Sequence, residues 1–277
     1  MSRLPNFIVA GAMKGGTCAT RANIARNKHQ EVFVCNQAHK LKVFDRLCEE
    51  NDKPLEYYTH MKQDAPYSGE IDYFSNDKVY ALGEDYYKAF FDVDKKIIGD
   101  ISPNYMYLDE NPETHKRMHA LIPDCKIIFI LRDPIKRAFS HWNHLAQLMP
   151  KWSKGLQEEE FYDTIIKFPE GHNSIRNRGL YHNNIVQYME LFGQENVKVY
   201  QQEALQANTR DTLTDIIRFA GAQKPMNNIN MVNTHTRQYY QTIDERSHKF
   251  LQEFYADEVA NLKKLLPYLD FTLWNNY

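Results

Sequence analysis

The chain has 277 residues, a quarter of them charged, and a net charge of −2. That length suits one large α/β domain or two small ones, and the near-neutral balance, with no basic arm or acidic tail, lacks the basic excess of a nucleic-acid binder. No apolar run reaches bilayer-spanning length, and the N-terminus enters the first apolar run with no room for a signal peptide. Cys18, Cys35, Cys48 and Cys125 form neither a CxxC pair nor a metal-type spacing. These features predict a soluble, cytoplasmic protein of a reducing compartment, without a membrane or nucleic-acid partner.

In chain order, apolar β-rich runs at 7–12, 32–35, 97–101, 126–131 and 197–200 predict strands. Helix-like stretches lie between and after them at 18–28, 83–91, 110–120, 135–148, 181–193, 209–221 and 245–266. Strand-helix alternation of this kind predicts an α/β fold, a central parallel sheet flanked by helices in three layers. With no repeat, linker or low-complexity segment, residues 1–277 read as one domain. The periodicity weakens near 36–69 and 150–179, where long excursions from a sheet serve either as binding loops or as helical decoration.

The first run, Phe7 to Ala12, ends in Met13-Lys14-Gly15-Gly16-Thr17, and helical sequence follows. Strand, Gly/Lys turn and helix start form an anion cradle: freed N–H groups, the positive end of the helix dipole and one ammonium converge on a phosphate. A Walker loop sets Lys directly before Ser/Thr; here Gly15 and Gly16 separate Lys14 from Thr17. The same residues also fit a plain Gly-rich turn with a surface lysine. The strand at 126–131 runs into Arg132 rather than into a magnesium-binding carboxylate. Pro134 then opens a helix with Asp133 as its N-cap, and Ser140 lies about two turns in. Arg132 and Ser140 are placed to grip one phosphate from two sides, unless Arg137 and Ser140 are merely solvated. Open parallel sheets bind ligands beyond the carboxyl ends of their strands, so Lys14 and Arg132 can share a crevice.

Two anion grips without a magnesium ligand suggest a nucleotide phosphorylated at two places. Lys14-Gly15-Gly16-Thr17 with Arg132-Asp133-Pro134-x-x-Arg137-Ala138-x-Ser140 resembles the paired signatures of the PAPS-dependent sulfotransferases, in particular the heparan-sulfate branch and its bacterial small-molecule relatives. The resemblance implies a P-loop-like α/β fold, 3′-phosphoadenosine-5′-phosphosulfate (PAPS) as co-substrate, and no metal. It implies that Lys14 and the backbone of Gly15, Gly16, Thr17, Cys18 and Ala19 hold the 5′-phosphosulfate, with Lys14 also stabilising the leaving phosphate. Arg132 and Ser140 would hold the 3′-phosphate, and Arg237 would belong to a late basic loop that closes over the nucleotide. Tyr181 would lie near the nucleotide, although Tyr181, Ile185, Tyr188 and Phe192 also form a helical apolar stripe of the kind that packs in a core.

Gly69-Glu70-Ile71-Asp72-Tyr73-Phe74 resembles the family's Glu-x-x-Phe/Tyr-Phe segment, which implies Glu70 as general base. The chain departs from the pattern in three ways. Asp72 stands where many members have His, a longer stretch near 36–69 precedes Glu70, and Ile101 stands where some members have Lys. Asp72 and His141 remain alternative bases, and Asp100 or Ser102 can face the site. Between Asp45 and Asp100, Asp and Glu outnumber Lys and Arg about two to one. A negative rim attracts cations, which points to a small neutral or cationic metabolite as acceptor, in natural-product tailoring, a guanidinium alkaloid being one example. The competing readings are a P-loop kinase or NTPase and a non-catalytic nucleotide-binding protein.

Overall fold

All five predicted strands form and pair side by side. The computed structural model describes residues 4–54, 69–148, 160–167, 174–227 and 242–277. Strands β1 (Phe7–Gly11), β2 (Val32–Val34), β3 (Ile97–Ile101), β4 (Lys126–Leu131) and β5 (Val197–Gln201) make one sheet in the order β2-β3-β1-β4-β5. Every neighbouring pair is parallel. Such strands are covered on both faces and therefore read as continuous apolar runs; each residue of β1 and β3 is buried.

Successive side chains point to opposite faces, and this divides the core in two. Ile8, Ala10, Ile127, Phe129 and Leu131 face one layer; Phe7, Val9, Ile128 and Ile130 face the other. The second layer is built from Ile24 of α1 (Thr17–Asn27) and Leu213, Ile216 and Ile217 of a later helix, Thr209–Phe219. The first and larger layer includes Val43, Phe44 and Leu47 of α2 (Gln37–Asn51) and Ile135, Ala138 and Phe139 of α3 (Pro134–Leu148). The expected three-layer α/β architecture is thus observed.

The order of the strands decides where a ligand fits. From β1 the chain moves to β2 and β3 on one side, then crosses to β4 and β5 on the other. The crevice between β1 and β4 is therefore a topological switch point, the place where open α/β sheets bind ligands. The turn after β1 carries Lys14, and Arg132 directly follows β4.

The helices differ from expectation in two instructive places. Within 36–69, α2 forms with Asn36 as its N-cap, the side chain accepting a hydrogen bond from the His39 N–H at 2.9 Å. Residues 245–266 form two helices, Glu245–Phe254 and Ala256–Leu265, rather than one. They break at Tyr255, which is fully buried and whose hydroxyl donates to the Arg176 carbonyl at 2.5 Å. A ring fixed from outside the helix overrides an otherwise continuous apolar period.

Candidate active site

The turn between β1 and α1 is shaped by its backbone. The Ala12 N–H donates to the Ile130 carbonyl at 2.9 Å, and the Gly15 N–H to the Ala12 carbonyl at 2.9 Å. This presses the turn against the end of β4: a Cβ on Gly15 would lie 2.1 Å from the Ile130 oxygen. Gly16 takes φ 105° and provides no side-chain cap to α1. The first N–H groups of the helix are thus left to an outside acceptor, and an anion is the best one. Lys14 is left-handed, with φ 66°. Such backbone is disfavoured for a side chain this long and recurs at functional sites.

Arg132 and Lys14 thus rise from the ends of adjacent strands. Asp133 caps α3 as expected: its Oδ1 accepts from Ile135 N at 3.0 Å and Lys136 N at 3.3 Å. The solvated reading of Arg137 and Ser140 is overturned, because both are buried. The Arg137 guanidinium donates to the Ile175 carbonyl and, at 3.4 Å, to Nδ1 of His141. Tyr181 is fully buried in the core stripe, and its hydroxyl donates to the Arg132 carbonyl at 3.0 Å. Its link to the Arg132 end is through that carbonyl.

The segment 69–74 has neither helix nor strand. Ser102 holds it: its Oγ accepts from the N–H groups of Ile71 (3.1 Å) and Asp72 (3.2 Å) and donates to Asp100 Oδ1 at 3.0 Å. Asp100 Oδ2 accepts from the hydroxyls of Tyr105 (2.8 Å) and Tyr87 (3.1 Å). Tyr105 in turn accepts from Tyr73 N–H at 2.9 Å. Burial pushes the Asp100 carboxyl upward, while its three hydroxyl donors favour the charged form. Asp100 and Ser102 are fully buried, and through these bonds both support the segment. Ile101 belongs to the opposite core layer.

Glu70 joins this segment to α1, the helix that leaves the Lys14 turn. Its Oε1 lies 3.6 Å from an Arg21 nitrogen, with both side chains mostly buried. Arg21, on α1, also donates to the Ile101 carbonyl. The Cys18 thiol is pushed up chiefly by burial and then by the charge of Glu70, while Arg21 and Lys14 oppose the shift. Cys18 thus lies in the field of both Glu70 and Lys14, and burial makes it a poor thiolate. Asp72 is buried and left-handed, with φ 52°, and Asn104 donates to its Oδ2 at 3.3 Å.

His141 is poorly suited to be the base. Arginine can only donate, so Nδ1 accepts from Arg137 and the ring proton belongs on Nε2. Burial, then the cations Arg137, Arg178 and Lys14, hold its pKa well below the ordinary 6.5. A neutral ring with Nδ1 occupied offers no free lone pair to an acceptor's proton.

Three groups near the site escaped the sequence reading. Arg21 lies one turn into α1. Lys40 lies on α2 and donates to the Glu70 carbonyl. Arg178 forms a bidentate pair with Glu110, Nε to Oε1 at 2.6 Å, stacks 4.4 Å from the centre of the Tyr107 ring, and reaches Met13 Sδ at 3.0 Å. Tyr107 in turn accepts the Met13 N–H at 2.8 Å. Lys40 had a signal: it aligns with the stripe Val43, Phe44 and Leu47, so it faces inward. Arg237 lies outside the described residues. Among the described residues no group of three His, Cys, Asp or Glu could hold a metal ion, and no helix is long and apolar enough to cross a membrane.

A switch-point end of the sheet with an uncapped helix start, two cations after adjacent strands and a nearby half-buried carboxylate suits an anionic ligand. The chain belongs to the sulfotransferase family: the family profile described as "Sulfotransferase domain" matches residues 4–250. The chain is 29% identical over 168 residues to the membrane-associated sulfotransferase kil1 of Dictyostelium discoideum, covering 59% of this chain and 27% of that protein. It is 22% identical to the human bifunctional heparan sulfate N-deacetylase/N-sulfotransferase 3, covering 95% of this chain and 30% of that protein. The chain thus spans less than a third of these curated relatives. A sulfotransferase from Alicyclobacillus acidocaldarius shares the fold, with a TM-score of 0.68 and 22% identity over 99% of both chains. With the family established, the kinase or NTPase reading is not favoured.

Proposed function

We propose that this chain, working as a single domain in the cytoplasm, transfers the sulfuryl group of PAPS to a hydroxyl or amine of a small, neutral or cationic metabolite. The observation that carries this reading is the Glu70 carboxylate, 3.6 Å from Arg21 on the helix that leaves the Lys14 turn. A non-catalytic nucleotide binder has no need of a carboxylate at that position.

In this reading Lys14 and the N–H groups of Gly16, Thr17, Cys18 and Ala19 hold the 5′-phosphosulfate, the Gly15 N–H being already given to the Ala12 carbonyl, while Arg132 and Ser140 hold the 3′-phosphate. Arg237 adds a further cation for the nucleotide, and Tyr181 fixes the main chain at Arg132. The fit is good: the start of α1 carries no side-chain cap, and the turn before it is fixed by its own backbone, Gly15 lying where a Cβ would strike the Ile130 carbonyl. Glu70 takes the acceptor's proton. The acceptor oxygen or nitrogen forms a bond to sulfur as the bond from sulfur to the 5′-phosphate oxygen breaks. The electron pair leaves on that oxygen, and Lys14 with the α1 N-terminus stabilises the charge. The products are the sulfated acceptor and 3′-phosphoadenosine-5′-phosphate (PAP). The cations already present meet the demand for positive charge, so no metal enters the scheme.

Exposed Asp45 and Glu49 on α2 support a neutral or cationic acceptor, as in natural-product tailoring of amines or guanidinium alkaloids, Glu50 beside them being paired with Arg46 at 4.0 Å. Asp77, Glu84 and Asp92 contribute less to this field, since Arg117, Lys88 and Arg46 pair with them. The four free cysteines support a reducing compartment. The test incubates the protein with sulfur-labelled PAPS and a panel of phenols, alcohols, amines and guanidines, alongside heparan oligosaccharides. Transfer of one sulfuryl group to a small amine- or hydroxyl-bearing molecule is expected. Transfer to heparan oligosaccharides alone overturns the acceptor class, and a thermal shift with ATP-Mg but none with PAP overturns the donor.

A further inference from the structure

We propose that Lys40 is a positioning residue for this reaction: from α2 it holds the main chain at Glu70 and so fixes where that carboxylate meets the acceptor. The inference rests on the reading of Glu70 as the base.

Lys40 is a buried ammonium, 2% exposed, in a protein that could have placed it in water. Its Nζ donates to the Glu70 carbonyl and lies 5.5 Å from the centre of the Phe44 ring. Four titratable groups face it: Arg21 from α1, Cys35 just after β2, Asp100 from β3, and Glu70 itself from the irregular segment. The chain beside Glu70 is tightly seated there: a Cβ on Gly69 would lie 2.7 Å from the Cys35 carbonyl and 2.9 Å from the Arg21 side chain. Arg21 thus faces the carboxylate of Glu70 while Lys40 holds its carbonyl. Two cations on one residue, from two helices, fix both its charge environment and its backbone.

Burying a lysine is unfavourable, and the cause is visible in its titration. Desolvation lowers its pKa from 10.5 to about 8, with Cys35 and Glu70 opposing the shift. A charged donor makes a stronger hydrogen bond than a neutral one. The grip on Glu70 therefore weakens as pH rises through about 8.

The experiment measures PAP release from PAPS, with the acceptor found in the panel above or with water as acceptor, for wild type, K40M and E70Q across pH 6 to 9.5. For K40M, kcat falls roughly 10- to 100-fold, the scale of one charge-assisted hydrogen bond, while KM for PAPS stays within about twofold. Wild type loses turnover above about pH 8, and this loss is absent from the K40M profile. Thermal shift with PAP shows whether K40M is folded; if it is not, K40Q is read by the same criteria. K40M with wild-type kcat and an unchanged alkaline limb, beside an inactive E70Q, overturns this inference alone. E70Q with wild-type turnover overturns the base assignment, and with it the role given to Lys40.

Discussion

The two halves of the candidate site are held by different means. The Lys14 turn owes its shape to its own backbone: Gly15 where no Cβ fits, Gly16 at φ 105°, and a helix start without a side-chain cap. The Glu70 segment has no regular structure and is held by side chains from elsewhere, namely Lys40, Ser102 and Tyr105. Phosphate groups are common to any nucleotide, so a fixed backbone cradle suits them. An acceptor is particular to one enzyme, and a segment hung on side chains can be re-aimed by substituting its supports.

If this contrast is right, damage to the two halves separates in kinetics. The largest effect is expected for E70Q, with turnover down about 10²–10⁴-fold, the usual range for losing a general base, while PAP still binds with wild-type affinity in calorimetry. K14A should lose roughly 10²–10³-fold in kcat, an electrostatic loss of the oxyanion type, and should weaken PAP binding as well. Equal loss of PAP affinity in both variants would erase the distinction. G15A probes the cradle without touching any charge. The atom it meets is the Ile130 backbone oxygen, so the turn itself must move. Overpacking of this kind costs about 1–3 kcal/mol, and PAP affinity should fall about tenfold or more, with kcat at saturating PAPS much less affected.

S102A probes the other half, with a smaller effect. Removing Oγ leaves the buried N–H groups of Ile71 and Asp72 without that acceptor and Asp100 without one donor. An unsatisfied buried group costs about 1–3 kcal/mol, which should lower the unfolding midpoint by several degrees. Because the loosened residues flank Glu70, kcat should fall while PAP affinity holds. A variant that loses PAP binding and keeps kcat would reverse the assignment of supports to halves.

The same contrast explains what could be read from the sequence. All five strands were legible because each is a predominantly apolar, β-rich run, interrupted only by residues such as Asp100 in β3 and Lys198 in β5, and Lys14 and Arg132 were legible because the residue types at the strand ends are themselves the signal. Asp133 was visible as a cap because capping is local. Arg21 and Arg178 were not seen, because their importance arises from contacts across the fold: Arg178 meets Glu110 only after the chain between them has packed, whereas Lys40 was missed although its place on the apolar stripe of α2 was readable. The break at Tyr255 was hidden for the same reason. Ser140 and Arg137 illustrate the limit in reverse, since local periodicity left open whether they were solvated and tertiary packing buried both.

His141 gives the mildest test, and it separates stability from catalysis. Burial and three neighbouring cations depress its pKa in the folded state. In the unfolded chain it titrates near its ordinary 6.5. As pH falls below that value the unfolded state binds the proton first, so stability present above about 6.5 declines as pH drops. The slope from this one group is at most about 1.4 kcal/mol per pH unit. H141Q keeps an acceptor for Arg137 and removes the titration, so its unfolding midpoint should fall less steeply than that of wild type between pH 6.5 and 5. Its turnover at neutral pH should stay within about threefold, since base catalysis is worth 10²–10⁴-fold. A loss of that larger size with PAP binding intact would move the base from the side-chain-supported segment to the helix behind Arg132, and the division of labour between the two halves would have to be redrawn.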